Sequence, residues 1–383
     1  MYMKDLWTIL VIFIQPVLWW GVIRTYLNYR KRIKQERKNY NTSIYSNNFE
    51  MKHFWTSLVV FGIIGSILTS LMGIYLAIPW IVIYEILIFI NLLIIPGQFM
   101  AVLDFAVATG LTFLVDQMGW LSQFDLSDSQ QVIPSYQNVL ALLTVIVLLL
   151  GFYIKHYFGK HNSPRIFTNQ RGTKVAGYLN KGFSIIPLLV LIPSNQIHEV
   201  INFWPVFSVG THSFTLMILP VLFGIRMTVF KTMPNDLFHK LGNKILWVAV
   251  LGIALTAVSY WFPEISIYAI LVLTILYLAV VLRVKMQDHN SDNWFDQAVN
   301  GLRVIAIRPQ TPADKMGIKI GDLIVEVNNE AVHSEDEFYK ALLDSPTFCR
   351  LKVINRNGRI KIVETAIYSD APTEMGVEVF EVE

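Results

Sequence analysis

The chain has 383 residues, 54% of them hydrophobic and only 15% charged, with 31 Lys/Arg against 28 Asp/Glu and a mean hydropathy of +0.48. Soluble domains carry about 25% charged residues, so this balance excludes an ordinary soluble globular protein and points to a membrane protein. A single cysteine, Cys349, excludes an intramolecular disulfide and a cysteine-based metal cluster. In Phe348-Cys349-Arg350-Leu351 it reads as a small packed residue of a strand. The first apolar run meets a basic segment rather than a small-residue cleavage site, so no cleavable signal peptide is expected.

Leu6–Ile23 is apolar apart from Gln15 and Pro16 and is long enough to span about 30 Å of hydrocarbon. Arg24–Lys52 then holds eight Lys/Arg against Glu36 and Glu50, a cytoplasmic segment by the positive-inside rule, which puts the N-terminus outside. No Lys or Arg occurs from His53 to Ile154, where Phe54–Tyr75, Ile78–Ile95, Phe99–Val115 and Gln137–Ile154 read as spans, broken at Pro79 and Pro96-Gly97. The acidic stretch Asp116–Ser135 between the last two reads as an external loop. Lys155–Lys181 has six basic residues and no acid and returns the chain to the cytoplasm. Phe183–Pro193 leaves, Ser194–Pro205 turns outside, Val206–Ile225 returns, and Arg226–Lys244 is again basic. Ile245–Phe262 and Ile267–Leu282 make the last pair, stopped by Arg283 and Lys285. The expected architecture is an α-helical multi-pass transmembrane bundle over residues 1–285, with nine helices, or seven if Ile78–Val115 is re-entrant. A linker, Met286–Asn293, leads to a cytoplasmic α+β domain over residues 294–383.

That last domain has the most specific pattern. Gly301-Leu302-Arg303-Val304-Ile305-Ala306-Ile307 alternates as a strand, and Thr311-Pro312-Ala313-Asp314-Lys315-Met316-Gly317 is a one-turn helix opened by proline and closed by glycine. Gly321-Asp322-Leu323-Ile324 runs as a strand into Val327-Asn328-Asn329, and Ser334-Glu335-Asp336-Glu337 is a capping box opening a helix through Leu343. Arg350–Ile354 and Arg359–Val363 alternate around the turn at Asn355-Arg356-Asn357-Gly358. This order of elements resembles a bacterial PDZ domain, which implies capture of an extended peptide as an added strand on an open sheet edge. Arg303, where many PDZ domains have a second glycine, and Asn329, in place of the usual glycine, depart from the pattern; asparagine tolerates positive φ. By resemblance, Gly301, Leu302, Arg303 and Val304 form the carboxylate loop, and Val304, Ile305 and Ala306 offer the pairing backbone. Glu335, Tyr339 and Leu342, spaced by four and three, share one helix face toward the groove.

Enzymatic chemistry finds little support. His198-Glu199-Val200-Ile201-Asn202 lacks the second histidine of a zinc-protease helix, and no Gly-x-Ser-x-Gly elbow occurs, so no catalytic residue, metal or cofactor is expected. Glu85 and Asp104 fall in apolar stretches, where a carboxylate costs at least ~2.5–3.5 kcal/mol at mid-bilayer; as an ion path they would make the chain a transporter, the alternative reading. Arg24–Lys38 suits anionic lipid at the bilayer surface, and no aromatic or motif pattern supports nucleic-acid binding. Trp19, Trp20, Trp55, Trp204, Trp247 and Trp261 read as interfacial anchors.

A multi-pass membrane region ending in one cytoplasmic PDZ domain resembles the MinJ family of Gram-positive cell-division proteins. The resemblance is closest at Gly301–Pro309, Phe348–Val353, Ala366-Ile367-Tyr368 and Glu374-Met375-Gly376-Val377. It implies a scaffold at septum and poles linking the curvature-binding protein DivIVA to MinD, with homo-oligomerisation left open.

Overall fold

The computed structural model describes residues 15–94, 101–119, 135–168, 174–193, 206–209, 212–289, 301–345, 347–355, 357–366 and 375–380. The start of the first apolar run, the Pro96-Gly97 break, most of the Asp116–Ser135 loop, Ser194–Pro205, His198-Glu199 and part of the linker lie outside these residues.

Helix α1 (Pro16–Tyr40) opens with proline in its first turn, continues through the basic segment and stops at Asn41 with φ +57°. The turn into α2 (Phe49–Leu71) is held by one buried guanidinium. Arg32 meets Glu50 at 2.6 Å and Glu36 at 3.1 Å, donates to the Tyr45 and Asn47 carbonyls, and lies over the Phe49 ring at 4.5 Å. Glu36 in turn accepts from the Ile44 and Tyr45 amides, so the charged groups of this turn, Arg32, Glu36 and Glu50, are all partnered. Helices α3 (Ile78–Ile94), α4 (Ala101–Gln117) and α5 (Tyr136–Tyr157) follow; α6 (Pro234–Ser259) and α7 (Ile265–His289) come later. Among the described residues, α2, α5, α6 and α7 are long and apolar enough to cross a membrane, and α3 is a shorter apolar helix. The α5 helix is central: fourteen of its residues are buried.

The two expected passes Phe183–Pro193 and Val206–Ile225 are not helices. They belong to a four-stranded antiparallel sheet, order β1-β2-β4-β3, made of β1 (Pro164–Thr168), β2 (Lys174–Pro193), β3 (Val206–Val209) and β4 (His212–Val229). The count of nine helices is therefore not supported. Proline explains the change: Pro187 and Pro220 lie directly opposite each other in the β2–β4 ladder, and each would break a helix interior. A strand tolerates them where the missing N–H would point away from its partner.

The outward side of β2 needs other partners, and α2 supplies them. The Ser66 hydroxyl donates to the Pro187 carbonyl and accepts from the Leu189 amide, and Thr69 donates to the Leu189 carbonyl at 2.6 Å. Just past α2, Leu191 exchanges two 2.9 Å bonds with the Ile74 carbonyl and Leu76 amide. Helix and strand come this close because Gly62 and Gly65 face them; a Cβ at Gly65 would lie 2.3 Å from Leu188. Both faces of the sheet are packed, with Ile185 and Leu222 buried on one and Leu188 and Leu219 on the other.

The C-terminal domain is a six-stranded sheet, order β10-β5-β6-β8-β9, with β7 pairing on β6. Its strands are β5 (Leu302–Ile307), β6 (Leu323–Val327), β7 (Glu330–Ala331), β8 (Phe348–Ile354), β9 (Ile360–Ala366) and β10 (Val377–Phe380). Helices α8 (Pro312–Lys315) and α9 (Glu335–Leu343) complete it. Leu302, Val304, Ile324, Phe338, Ala341, Cys349 and Leu351 form its core.

Removing Arg32 leaves Glu36, which is 2% exposed, without its cation. Arg32→Ala is expected to cost about 3–5 kcal/mol, the usual penalty for orphaning half of a buried pair, read as a lower thermal midpoint of the purified protein in detergent. An unchanged midpoint would mean that the turn is not held by this cluster.

Candidate peptide-binding site

Gly301 opens the candidate site with φ +126°, and a Cβ there would sit 2.5 Å from the Ile324 carbonyl oxygen. Only glycine fits that backbone. From it β5 runs inward, with Leu302, Val304, Ile305 and Ala306 all buried and Arg303 half-buried. On one side β5 pairs with β6, supported by Val304 N–H donating to Asp322 at 2.9 Å and Gly321 N–H donating to Val304 at 2.8 Å. On the other side it pairs with β10, with Glu378 opposite Ala306 and Val379 opposite Val304. Both hydrogen-bonding sides of β5 are thus taken, and an incoming strand would meet β10 first. The fastening of β10 is local: Arg308 pairs with Glu378 at 2.7 Å, and the Arg308 amide donates to the Gly376 carbonyl. Gly376 has φ +78° and packs against Thr311, leaving no room for a side chain.

The register skips Ile305, a β-bulge that leaves its carbonyl out of the β10 ladder. That carbonyl accepts a 2.7 Å hydrogen bond from the hydroxyl of Tyr178, on β2 of the helical region. Ile305 and Phe380 are buried there against Ala176 and Tyr178, with Tyr40, Met233 and Ile320 packed around them. The C-terminal domain is therefore docked on the helical region through the strand that heads the candidate site.

Helix α9 packs on β6 and puts Phe338 and Ala341 into the same core as Leu302 and Val304. Half of its capping box forms: Ser334 accepts from the Glu337 amide at 3.2 Å, while the Glu337 carboxylate accepts at 2.8 Å from the amide of His333, one residue before the cap. Phe338 and Ala341 face the core, Leu342 packs at its margin, Glu335 is half-buried, and Tyr339 is 41% exposed. The turn after β6 uses Asn328 and Asn329 at φ +51° and +73°, as asparagine permits. The Asn328 amide bridges α9 and β8 by donating to the Ala341 carbonyl and accepting from the Arg350 amide. Cys349 is fully buried, and burial pushes its thiol up to about 12, so it is packing rather than a nucleophile.

Sequence reasoning brought together Gly301–Ala306 and α9 but missed β10 and Tyr178. The signal for β10 was present in Gly376-Val377-Glu378-Val379-Phe380, a glycine followed by strand alternation. For Tyr178 there was no signal, because the contact joins residues 127 positions apart. Elsewhere, Asp104 on α4 accepts from the Asn91 amide of α3 at 2.7 Å, while Glu85 keeps one buried carboxylate oxygen without a partner among the described residues.

The fold and site together define a protein with membrane-spanning-type helices and a C-terminal PDZ domain; the PDZ-domain family matches residues 303–355. The chain is a homologue of MinJ. It is 26% identical to the cell division topological determinant MinJ of Bacillus subtilis (strain 168) over 375 residues, 95% of this chain and 92% of that protein. It is also 27% identical to the probable cell division topological determinant MinJ of Lacticaseibacillus paracasei over 226 residues, 57% of this chain and 58% of that protein.

Tyr178→Phe keeps the ring and removes only the hydroxyl, leaving the buried Ile305 carbonyl unpaired at a cost of about 1–3 kcal/mol. Faster amide hydrogen exchange across β5 and β10, with α5 unaffected, is the expected result. Identical exchange in both proteins would show that this bond does not hold the domains together.

Proposed function

We propose that the chain is a non-enzymatic membrane scaffold of bacterial cell division. Its PDZ domain lies on the cytoplasmic side, captures the tail or loop of a division protein, and so bridges septal and polar proteins of the DivIVA and MinD type. The observation that carries this reading is similarity along 95% of the chain to a protein named as a division determinant, which takes in the helical region as well as the PDZ domain. The alternation of basic and acidic segments supports the orientation, since Arg24–Lys52, Lys155–Lys181 and Arg226–Lys244 all fall on the PDZ side of that alternation.

Within the PDZ domain, the tail binds at the β10 end of the sheet. Among the described residues β10 has a strand partner only on its β5 side, and since all four of its residues are buried, an extended segment adding there displaces what covers them. Glu335, Tyr339 and Leu342 of α9 then meet the tail's side chains, and Glu335 favours a basic or hydroxylated residue. Gly301, Leu302, Arg303, Val304, Ile305 and Ala306 act from beneath, as the loop and strand on which β10 is laid.

Tyr339 is the residue to test because its partial exposure separates binding from folding. Tyr339→Ala is expected to change stability by no more than ~0.5 kcal/mol, as surface substitutions usually do. Retention of division proteins from solubilised membranes by the full-length bait is expected to fall about tenfold, the loss of a modest aromatic hot spot. Undiminished retention by both Tyr339→Ala and Glu335→Lys would remove α9 from the binding surface.

A further inference from the structure

The cytoplasmic half of α1 carries a ridge of exposed positive charge. Arg30, Lys34, Arg37 and Lys38 are spaced by four, three and one, which puts them within ~100° of one another around the helix. All four are exposed, and among the described residues none of them makes an ion pair or a side-chain hydrogen bond. Lower on the same face stand Trp19, Ile23, Tyr26 and Leu27, also exposed. The one acid of α1, Glu36, is on the opposite side, buried and held by Arg32. Like charges one turn apart repel, so the pairs Arg30–Lys34 and Lys34–Lys38 weaken the helix until acids come to lie between them.

The positive-inside rule explains the sign of these residues but not where they stand. Helix α1 does not lie flat on a bilayer surface. At one end Gly21 packs against Ile185, in the apolar part of β2. At the other, Tyr40 donates to the Pro164 carbonyl of β1 and packs beside Tyr178 and Ile305, where the PDZ domain is docked. Between them Arg165 of β1 donates to Gln35. The helix therefore follows β2 out of the apolar layer toward the PDZ domain. Arg24 directly follows the apolar run that ends at Ile23. Lys34, Arg37 and Lys38 stand ~15–21 Å further along the axis, at 1.5 Å per residue. The field of an anionic bilayer decays over about 8 Å at physiological salt, so little of it reaches these three. A protein can meet them there.

We propose that this ridge docks an acidic segment of a partner protein, its carboxylates meeting Arg30, Lys34, Arg37 and Lys38. From Arg30 to Lys38 the ridge is ~12 Å long, and its charges recur once per turn. A partner helix with acids three or four residues apart reproduces that spacing. Its carboxylates neutralise the like-charge pairs, and Arg30 and Arg37 can each offer two parallel hydrogen bonds. The ridge is on α1 and separate from the PDZ domain's own tail site, so both can be occupied at once.

The probe is fluorescein-labelled deca-glutamate, titrated by fluorescence anisotropy into the full-length protein in phosphatidylcholine nanodiscs. Binding that weakens as salt rises from ~0.05 to ~0.2 M is expected. The double variant Lys34→Glu, Arg37→Glu is expected to bind about tenfold more weakly, since it sets acid against acid. The double variant Lys240→Glu, Lys244→Glu reverses two exposed cations of α6 and changes the net charge equally; it is expected to bind as the parent does. No binding by the parent, or an equal loss in both variants, overturns the proposal. A bilayer as the true partner is read from thermal midpoints in discs with and without phosphatidylglycerol. The parent and Lys34→Glu, Arg37→Glu are expected to respond alike; a rise confined to the parent places the ridge on lipid and overturns the proposal. Should the reversed variant not fold, Lys34→Gln, Arg37→Gln decides the matter on the same criteria.

Discussion

Hydrogen-bond satisfaction of a long hairpin buried among apolar helices governs the arrangement of this protein. In a surrounding without water, each unpaired backbone N–H or C=O costs several kcal/mol, so a strand edge there must be covered. The β2–β4 ladder covers one side of β2. On the other, Ser66 and Thr69 of α2 and the main chain at Ile74 and Leu76 take the place of a missing strand. That demand explains why α2 carries Gly62 and Gly65 on the same face as its hydroxyls: the helix axis must approach the strand closely enough for short side chains to reach its backbone.

The same strand carries the connection to the PDZ domain. Beyond the apolar layer β2 presents Tyr178, whose hydroxyl takes up the carbonyl that the bulge at Ile305 leaves over. A bulge in β5 therefore serves as an attachment point, and the hydrophobic contact around Phe380 and Ala176 shields it from water. Three residues further along β2 lies Lys181, opposite Arg226 of β4. The docking of the PDZ domain and the facing pair Lys181 and Arg226 thus rest on one strand.

Hydropathy made the helices α2, α5, α6 and α7 legible, because each is a long apolar run with charge at one end or both. It could not distinguish a buried strand from a buried helix. Phe183–Pro193 has eleven residues, which as a helix would reach only ~16 Å, while as a strand they reach ~36 Å. Length and the prolines Pro187 and Pro220 were the available clues, and they outweigh the apolar composition. In the PDZ domain, turn chemistry made the reading secure: Gly301, the Ser334 cap and the Asn328-Asn329 turn each have the conformation that their residue types favour. The pairing of β10 on β5 joins segments about seventy residues apart, and no local pattern specifies which strand takes an edge. The strands β5 and β6 were therefore recognisable in the sequence, while the pairing of β10 on β5 was not.

The central claim is that the helical region and the PDZ domain act together as a division scaffold. Imaging fluorescent fusions in dividing cells of the source bacterium, with and without residues 301–380, tests it most directly. The account predicts enrichment at the septum for the full chain and a uniform membrane signal once the PDZ domain is removed. A uniform signal from the full chain, with the truncated chain indistinguishable from it, would contradict the scaffold reading.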